Sequence, residues 1–289
     1  MSSVSIHSRR TISIEPSALG ALRRSRTRHF YNESLLAESQ RDRIDVVLVS
    51  PRNPLNIGAV ARAMANFGFA QLAVAAPYAP HWREAKSAIG APDVLQNARS
   101  TECLGDAIAH STLVIGTGTL TYRKPEQPVV PLPALAPYIA DELARGGRIS
   151  LVFGPEKHGL TRENLSLCHL LVEIPTDARQ PSMNLGQAVA VCLYELVAHA
   201  SALPGSASSD LAVPARSSPA AAPSGSVDLL ADLIDQTMTA AGYSPTAMQQ
   251  ANRHDLQLLL RRFRLNRADT HRALGFFRRV LWRLTHPAK

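Results

Sequence analysis

The feature that most constrains this chain is a series of short apolar runs in which hydrophobic and polar residues do not alternate. IDVVLVS (44–50), QLAVAAP (71–77), STLVIGTG (111–118), RISLVFGP (148–155) and HLLVEIP (169–175) are continuous in this sense. A strand with one face in water reads as alternation, so continuous runs of this length call for strands covered on both faces. Helix candidates lie between them: residues 57–67, the stretch after Pro80, a segment around Asp106, residues 136–145 and residues 185–200. Strand and helix taking turns predicts an α/β domain over residues 43–200, a mainly parallel sheet with helices on both faces.

The flanks are of other kinds. Residues 1–42 are rich in serine and arginine, with Glu15 the only acid before Glu33, which predicts a disordered basic extension. The same composition suits an organellar transit peptide. Residues 201–226 are proline, serine and alanine without periodicity, a linker. Residues 227–289 turn helical and basic, with Ser244 and Pro245 placed as cap and first turn and Asn266 with Asp269 as a capping pair. Leu274, Phe277, Leu281 and Leu284 recur at helical spacing while Arg272, Arg278, Arg279 and Arg283 take other faces. Such a module either packs or dimerises with its arginines in water, or contacts RNA.

A formal net charge of +8 and a pI near 9.9 imply attraction to a polyanion, a statement about association and not about fold. The three cysteines, Cys103, Cys168 and Cys192, are odd in number and far apart, so neither a disulfide framework nor a paired zinc motif is readable, and a reducing cytoplasm is the expected compartment. Cys168 and His169 adjoin at the edge of a buried strand and read as core. No metal cluster is evident, and no apolar run approaches the roughly 20 residues of a membrane span.

Three strand ends carry the chemistry-bearing residues. After the first strand, SPRNPLNIGAVARAM (50–64) offers a single turn glycine, Gly58, and no lysine of the phosphate-loop kind, so dinucleotide and P-loop readings fail their own requirements. Asn56 reads as the N-cap of a helix starting at Ile57. Gly58 costs helix stability, which implies close approach of backbone or substrate. Arg62 shares a face with Gly58 and Asn66, the only polar stripe of an apolar helix, and on geometry alone reads as solvated or functional. LVFGPEKHGLT (151–161) ends a strand in Gly154, a proline and Glu156. IPTDARQPSMNLGQAVAVCLYEL (174–196) sets Ser182 and Asn184 directly before a long apolar helix.

Taken together, NPLNIGAVARAM, LVFGPEKHGLT and PSMNLGQAVAVCLYEL resemble, in order and separation, the three motifs of the SpoU branch of the SPOUT superfamily, RNA 2′-O-methyltransferases that use S-adenosylmethionine. The likeness is greatest to members that act on cytidine or uridine at position 32 of the tRNA anticodon loop. It implies a trefoil knot at the carboxyl side of the domain and a homodimer whose site is completed across the interface. Carried over residue by residue, it implies Arg62, Asn56, Glu156, Ser182 and Asn184 as catalytic residues. It implies cofactor contacts from Thr117, Gly118, Thr119, Gly154, Ile174, Ser182, Met183 and Leu185. A ribosomal-RNA methyltransferase of the same branch and a non-catalytic RNA-binding protein are the competing readings.

Overall fold

A computed structural model describes residues 36–78, 81–85, 87–118, 125–198, 220–243 and 248–286. Most of the expected N-terminal extension, Thr119, residues 201–219 of the expected linker and the Ser244–Pro245 cap lie outside the described residues.

Seven strands form one sheet in the order β3-β2-β1-β6-β4-β7-β5, with every pairing parallel. The five continuous apolar runs become β1 (Ile44–Val49), β2 (Leu72–Ala75), β4 (Leu113–Thr117), β6 (Ile149–Phe153) and β7 (Leu170–Glu173). Successive side chains of β1 explain why the run is unbroken. Ile44, Val46 and Leu48 enter one apolar layer and Val47 and Val49 the other, so both faces are dry. The two remaining strands, β3 (Arg99–Thr101) and β5 (Val129–Pro131), lie at the sheet edges and went unpredicted, because β3 is polar and exposed and the three-residue apolar run of β5 is too short, and too closely followed by prolines, to read as a strand.

The helices in chain order are α1 (Glu38–Arg41), α2 (Pro54–Phe67), α3 (Pro92–Gln96), α4 (Leu104–Ile108), α5 (Ala136–Ala144), α6 (Arg162–Ser166) and α7 (Leu185–Ala198). Three more follow: α8 (Ser224–Ala240), α9 (Gln249–Phe263) and α10 (Arg267–Thr285). The packed pair α2 and α7 shares the larger layer with α5, while α4 covers the opposite face with Leu104, Ala107 and Ile108. Helices therefore lie on both faces, as expected.

One helix start differs from expectation. The helix begins at Pro54, not Ile57, and its N-cap is Asn53, whose side chain accepts from the Leu55 N–H at 3.0 Å. Proline suits the first helical position because its missing N–H has no partner there in any case. Asn56 is thereby released from capping and lies in the first turn.

Helices α8 to α10 enclose their own apolar cluster, including Val227, Leu230, Leu260 and Leu274. Helix α8 starts within the stretch expected as linker, and its first N–H groups are taken up by the sheet-bearing part. Ser224 N and Oγ each donate to the Ser111 carbonyl at 2.8 Å, and Gly225 N donates to Ala109 O at 3.0 Å. The expected cap at Asn266 is present, accepting from Asp269 N at 2.8 Å. Leu284, expected on the apolar stripe of the last helix, is instead exposed.

Cys168 is a core residue and His169 beside it is half-buried. Burial raises the Cys168 thiol to about 12, partly offset by Arg261. Burial, followed by the charges of Arg261 and Arg264, holds His169 well below its usual value, and its Nδ1 accepts from Val114 N at 3.0 Å.

Candidate active site

In a parallel sheet the carboxyl ends of the strands share one edge, and the loops leaving that edge are where ligands are held. Here the loops after β1 and β6 meet through Glu156, and the loop after β7 joins them through Asn56. Its Oε1 accepts from the Asn53 N–H at 3.3 Å and from Asn56 Nδ2 at 2.9 Å, and its Oε2 accepts from the Arg52 N–H at 3.2 Å. Partial burial pushes the Glu156 carboxyl up. The hydrogen bonds from Asn56 and from backbone N–H groups outweigh this and leave it below the usual carboxylate value.

The bonding continues with a fixed polarity. Because Asn56 gives its Nδ2 to Glu156, its Oδ1 is the atom left to accept Asn184 Nδ2, at 3.0 Å. Asn184 Oδ1 then accepts Gly186 N at 2.9 Å, at the start of α7. A carboxylate and two amides thus bind together three stretches more than 100 positions apart at their extremes, and each amide has one permissible orientation.

Beside this linkage is a cavity of about 270 Å³. It is lined by Thr117, Gly118, Gly154, Ile174, Ser182, Met183 and Leu185, which are all of the expected cofactor contacts among the described residues, and Glu156 borders it. Thr117 is buried and donates Oγ1 to Val152 O at 3.0 Å, while Gly118 N donates to Val172 O at 3.3 Å, so the loop leaving β4 is tied to both neighbouring strands. Leu160, Thr176 and Ala188 also line the cavity and went unpredicted. Thr176 donates Oγ1 to Pro181 O at 3.2 Å, closing the loop after β7 on itself.

Two glycines take their meaning from close approach. A Cβ on Gly154 would stand 2.3 Å from both Gly159 C and Leu160 N, so the strand end and the returning loop touch backbone to backbone. At Gly58 a Cβ would meet Ser87 Oγ at 2.1 Å and Ala88 N at 2.8 Å. The close approach inferred at Gly58 is therefore by the chain's own Ser87 side chain and Ala88 backbone. Ser87 fastens that loop by donating to Leu55 O at 2.7 Å.

Arg62 stands apart from the other expected site residues. It is exposed, does not line the cavity, and makes no hydrogen bond or ion pair with a described residue. Within a single chain the structure brings together Asn56, Glu156 and Asn184, and sets Ser182 at the cavity wall, but not Arg62.

The profile of the SpoU rRNA Methylase family matches residues 43–194, more than half of the chain and all three strand-end loops. The chain belongs to the SpoU methylase family. Among SpoU relatives, it is 40% identical over 156 residues to the tRNA (cytidine/uridine/adenosine-2′-O-)-methyltransferase TrmJ of Pseudomonas aeruginosa, a match covering 54% of this chain and 60% of that one. It is 37% identical over 155 residues to the tRNA (cytidine-2′-O-)-methyltransferase TrmJ of Methanocaldococcus jannaschii, covering 53% and 66%. The chain thus spans less than two thirds of the length of these curated relatives. Beyond the SpoU region the likeness extends to the crystal structure of TrmJ from Z. mobilis ZM4. That structure is matched at a TM-score of 0.68 and 26% identity over 82% of this chain and 98% of that one.

Proposed function

We propose that this chain methylates the ribose 2′-oxygen of a cytidine or uridine in tRNA, at position 32 of the anticodon loop, with S-adenosylmethionine as donor. The observation that carries the reading is the coincidence of two arrangements: the Glu156–Asn56–Asn184 linkage and the cavity beside it, lined by the expected cofactor residues. The curated relatives named TrmJ support the choice of tRNA.

The cavity suits the cofactor by its chemistry. Ile174, Leu185, Leu160 and Ala188 give apolar walls for a flat heteroaromatic ring, and the Gly154–Gly159 and Pro181–Met183 stretches bring main chain to its rim. When bound, S-adenosylmethionine supplies an electrophilic methyl on a cationic sulfur, so the protein's work is to align the 2′-oxygen with it and to stabilise that oxygen as its proton leaves. Glu156, Asn56 and Asn184 hold the three loops in register. With the cofactor bound, the methyl would pass from the sulfur, left neutral, to the 2′-oxygen, whose hydroxyl proton would leave to an RNA phosphate or water. Arg62 binds the neighbouring phosphate and the developing 2′-oxyanion, because a guanidinium keeps its proton and acts as a fixed charge.

Since Arg62 is exposed and away from the cavity lining, a second copy of the chain supplies it, and the working form is a homodimer. Exposed Leu55 on α2 and Tyr194 on α7 support that face as the interface. The chain divides into a catalytic domain over 43–200 and a basic helical module over 227–289, and the segment from β6 to α7 is threaded as a trefoil knot. The compartment is the cytoplasm, in keeping with a tRNA substrate and three unpaired thiols.

A second reading, ribosomal RNA as substrate, is favoured by the description of the matching family. Mapping 2′-O-methylated positions in total RNA with and without the gene separates the two. Loss at tRNA position 32 supports the first reading, loss confined to ribosomal RNA supports the second, and no loss refutes both. Purified Arg62→Ala protein is expected to bind S-adenosylmethionine normally and to lose about two orders of magnitude in turnover. Unchanged turnover would remove Arg62 from the mechanism.

A further inference from the structure

Strands β1 and β2 are neighbours in register, Val49 opposite Ala75, and both end in the same unusual way. Each is followed by a non-glycine residue with positive φ, Ser50 at 45° and Ala76 at 47°, two of the three such residues among those described. Each of these is followed by a proline, Pro51 and Pro77, and then by a large side chain, Arg52 and Tyr78. A residue before proline is steered toward extended backbone, so a left-handed conformation there is disfavoured twice over.

The doubled turn brings the two side chains together. The Arg52 guanidinium lies over the Tyr78 ring, 5.2 Å from its centroid, although both residues are exposed and Tyr78 retains 71% of its accessible surface. One solvent-exposed cation–π contact returns less than two strained residues cost, so the contact by itself does not account for the geometry. Its position does. Arg52 N donates to Glu156 Oε2, which puts the pair one residue from the linkage that organises the site.

We propose that Arg52 and Tyr78 grip the RNA nucleotide that flanks the target, the Tyr78 ring stacking on its base and the Arg52 guanidinium taking its phosphate. The inference rests on the reading above that the substrate is RNA. An accessible aromatic face next to a mobile cation is the pairing by which single-stranded nucleotides are held without regard to base identity. The guanidinium moves from ring to phosphate as the base takes its place.

The test uses full-length protein, an unmodified tRNA transcript with cytidine at position 32, and the variants Tyr78→Ala, Tyr78→Phe and Arg52→Gln. All three keep the Arg52 backbone N–H and thus its bond to Glu156. Tyr78→Ala is expected to raise KM for the transcript about tenfold, with turnover at saturating RNA and S-adenosylmethionine affinity unchanged, while Tyr78→Phe stays near the parent. Arg52→Gln should lower the slope of log Kd against log salt by about 0.8. Unchanged KM and salt slope overturn the proposal, as does a loss confined to turnover. Titration of the transcript by fluorescence anisotropy separates this inference from the functional one. If the parent protein binds the transcript but transfers no methyl, the methyltransferase reading fails and weaker binding by the variants still supports the grip. If the parent does not bind it, the grip is refuted.

Discussion

Arg261 offers the sharpest test of how helices α8 to α10 are held against the sheet-bearing part. Its side chain is 2% exposed, with Nη2 donating to Asp228 Oδ1 at 2.6 Å and Nε donating to Leu167 O at 3.2 Å across the junction. Replacing it by methionine fills similar space but leaves Asp228 without its cation. Removing one partner of a buried pair costs 3–5 kcal/mol, and the lower end, about 3 kcal/mol, applies because Asp228 retains 23% exposure and gains some solvation. That corresponds to about two orders of magnitude in the equilibrium for opening α8 to α10, read by hydrogen exchange of their amides. The acid response supplies the sign. Burial raises the Asp228 carboxyl, Arg261 pulls it back, Asp232 raises it and Arg253 lowers it, with a net shift upward. Without Arg261 it rises further. A carboxyl raised on folding opposes folding at neutral pH and ceases to do so as pH falls through its raised folded value, so Arg261→Met should recover protection relative to the parent as the solution is acidified toward the usual carboxylate range. The double variant Arg261→Met with Asp228→Leu should return to within about 1 kcal/mol of the parent. A single variant as protected as the parent, or a double variant no better than the single, would refute the argument that the buried charge pair between α8 and α9 holds these helices together.

Glu156→Gln should cost about 1 kcal/mol at neutral pH, since one amide oxygen replaces two carboxylate oxygens that accept three bonds and the site is partly solvated. Because the Glu156 value is lowered on folding, its contribution is present above the usual carboxylate range and lost as pH falls through the lowered value, and acid denaturation curves of the Gln variant should lack that step. Mixing Arg62→Ala with Gly154→Ala chains, each inactive alone, should restore about a quarter of the parent methyl transfer if the site is shared between two copies, and none if it is not. Thiol titration of the native protein near pH 8 should label Cys103 alone. It is exposed, whereas burial raises Cys168 and Cys192 to about 12 each, and all three should react after denaturation.

The central strands were legible because burial on both faces forces unbroken apolar runs, and that pattern needs no knowledge of neighbours. The edge strands were not, since Arg99–Thr101 and Val129–Pro131 are defined by a hydrogen-bonding partner and not by composition. In the helix after β1, two asparagines three residues apart compete for the cap. Pro54 was the available signal that Asn53 would win it, because a proline at the first helical position is preorganised for it. The pairing of Asn56 with Glu156 and Asn184 spans 100 and 128 positions, beyond any local periodicity, so the residue types were readable at three strand ends while their contact was not.

Arg62 shows how one such contact changes the meaning of a local pattern. Helical spacing places Gly58, Arg62 and Asn66 on one stripe, which in isolation describes a uniform solvent-facing edge. The stripe is not uniform. Its first turn is roofed by Ser87 and Ala88 lying against Gly58, while Arg62 and Asn66 beyond the roof are bare. A residue that merely solubilised the helix would gain nothing from having the roof end where it does. A guanidinium left uncovered on a largely apolar helix, outside the cavity of its own chain, is what the proposal of a site shared between two copies requires of Arg62.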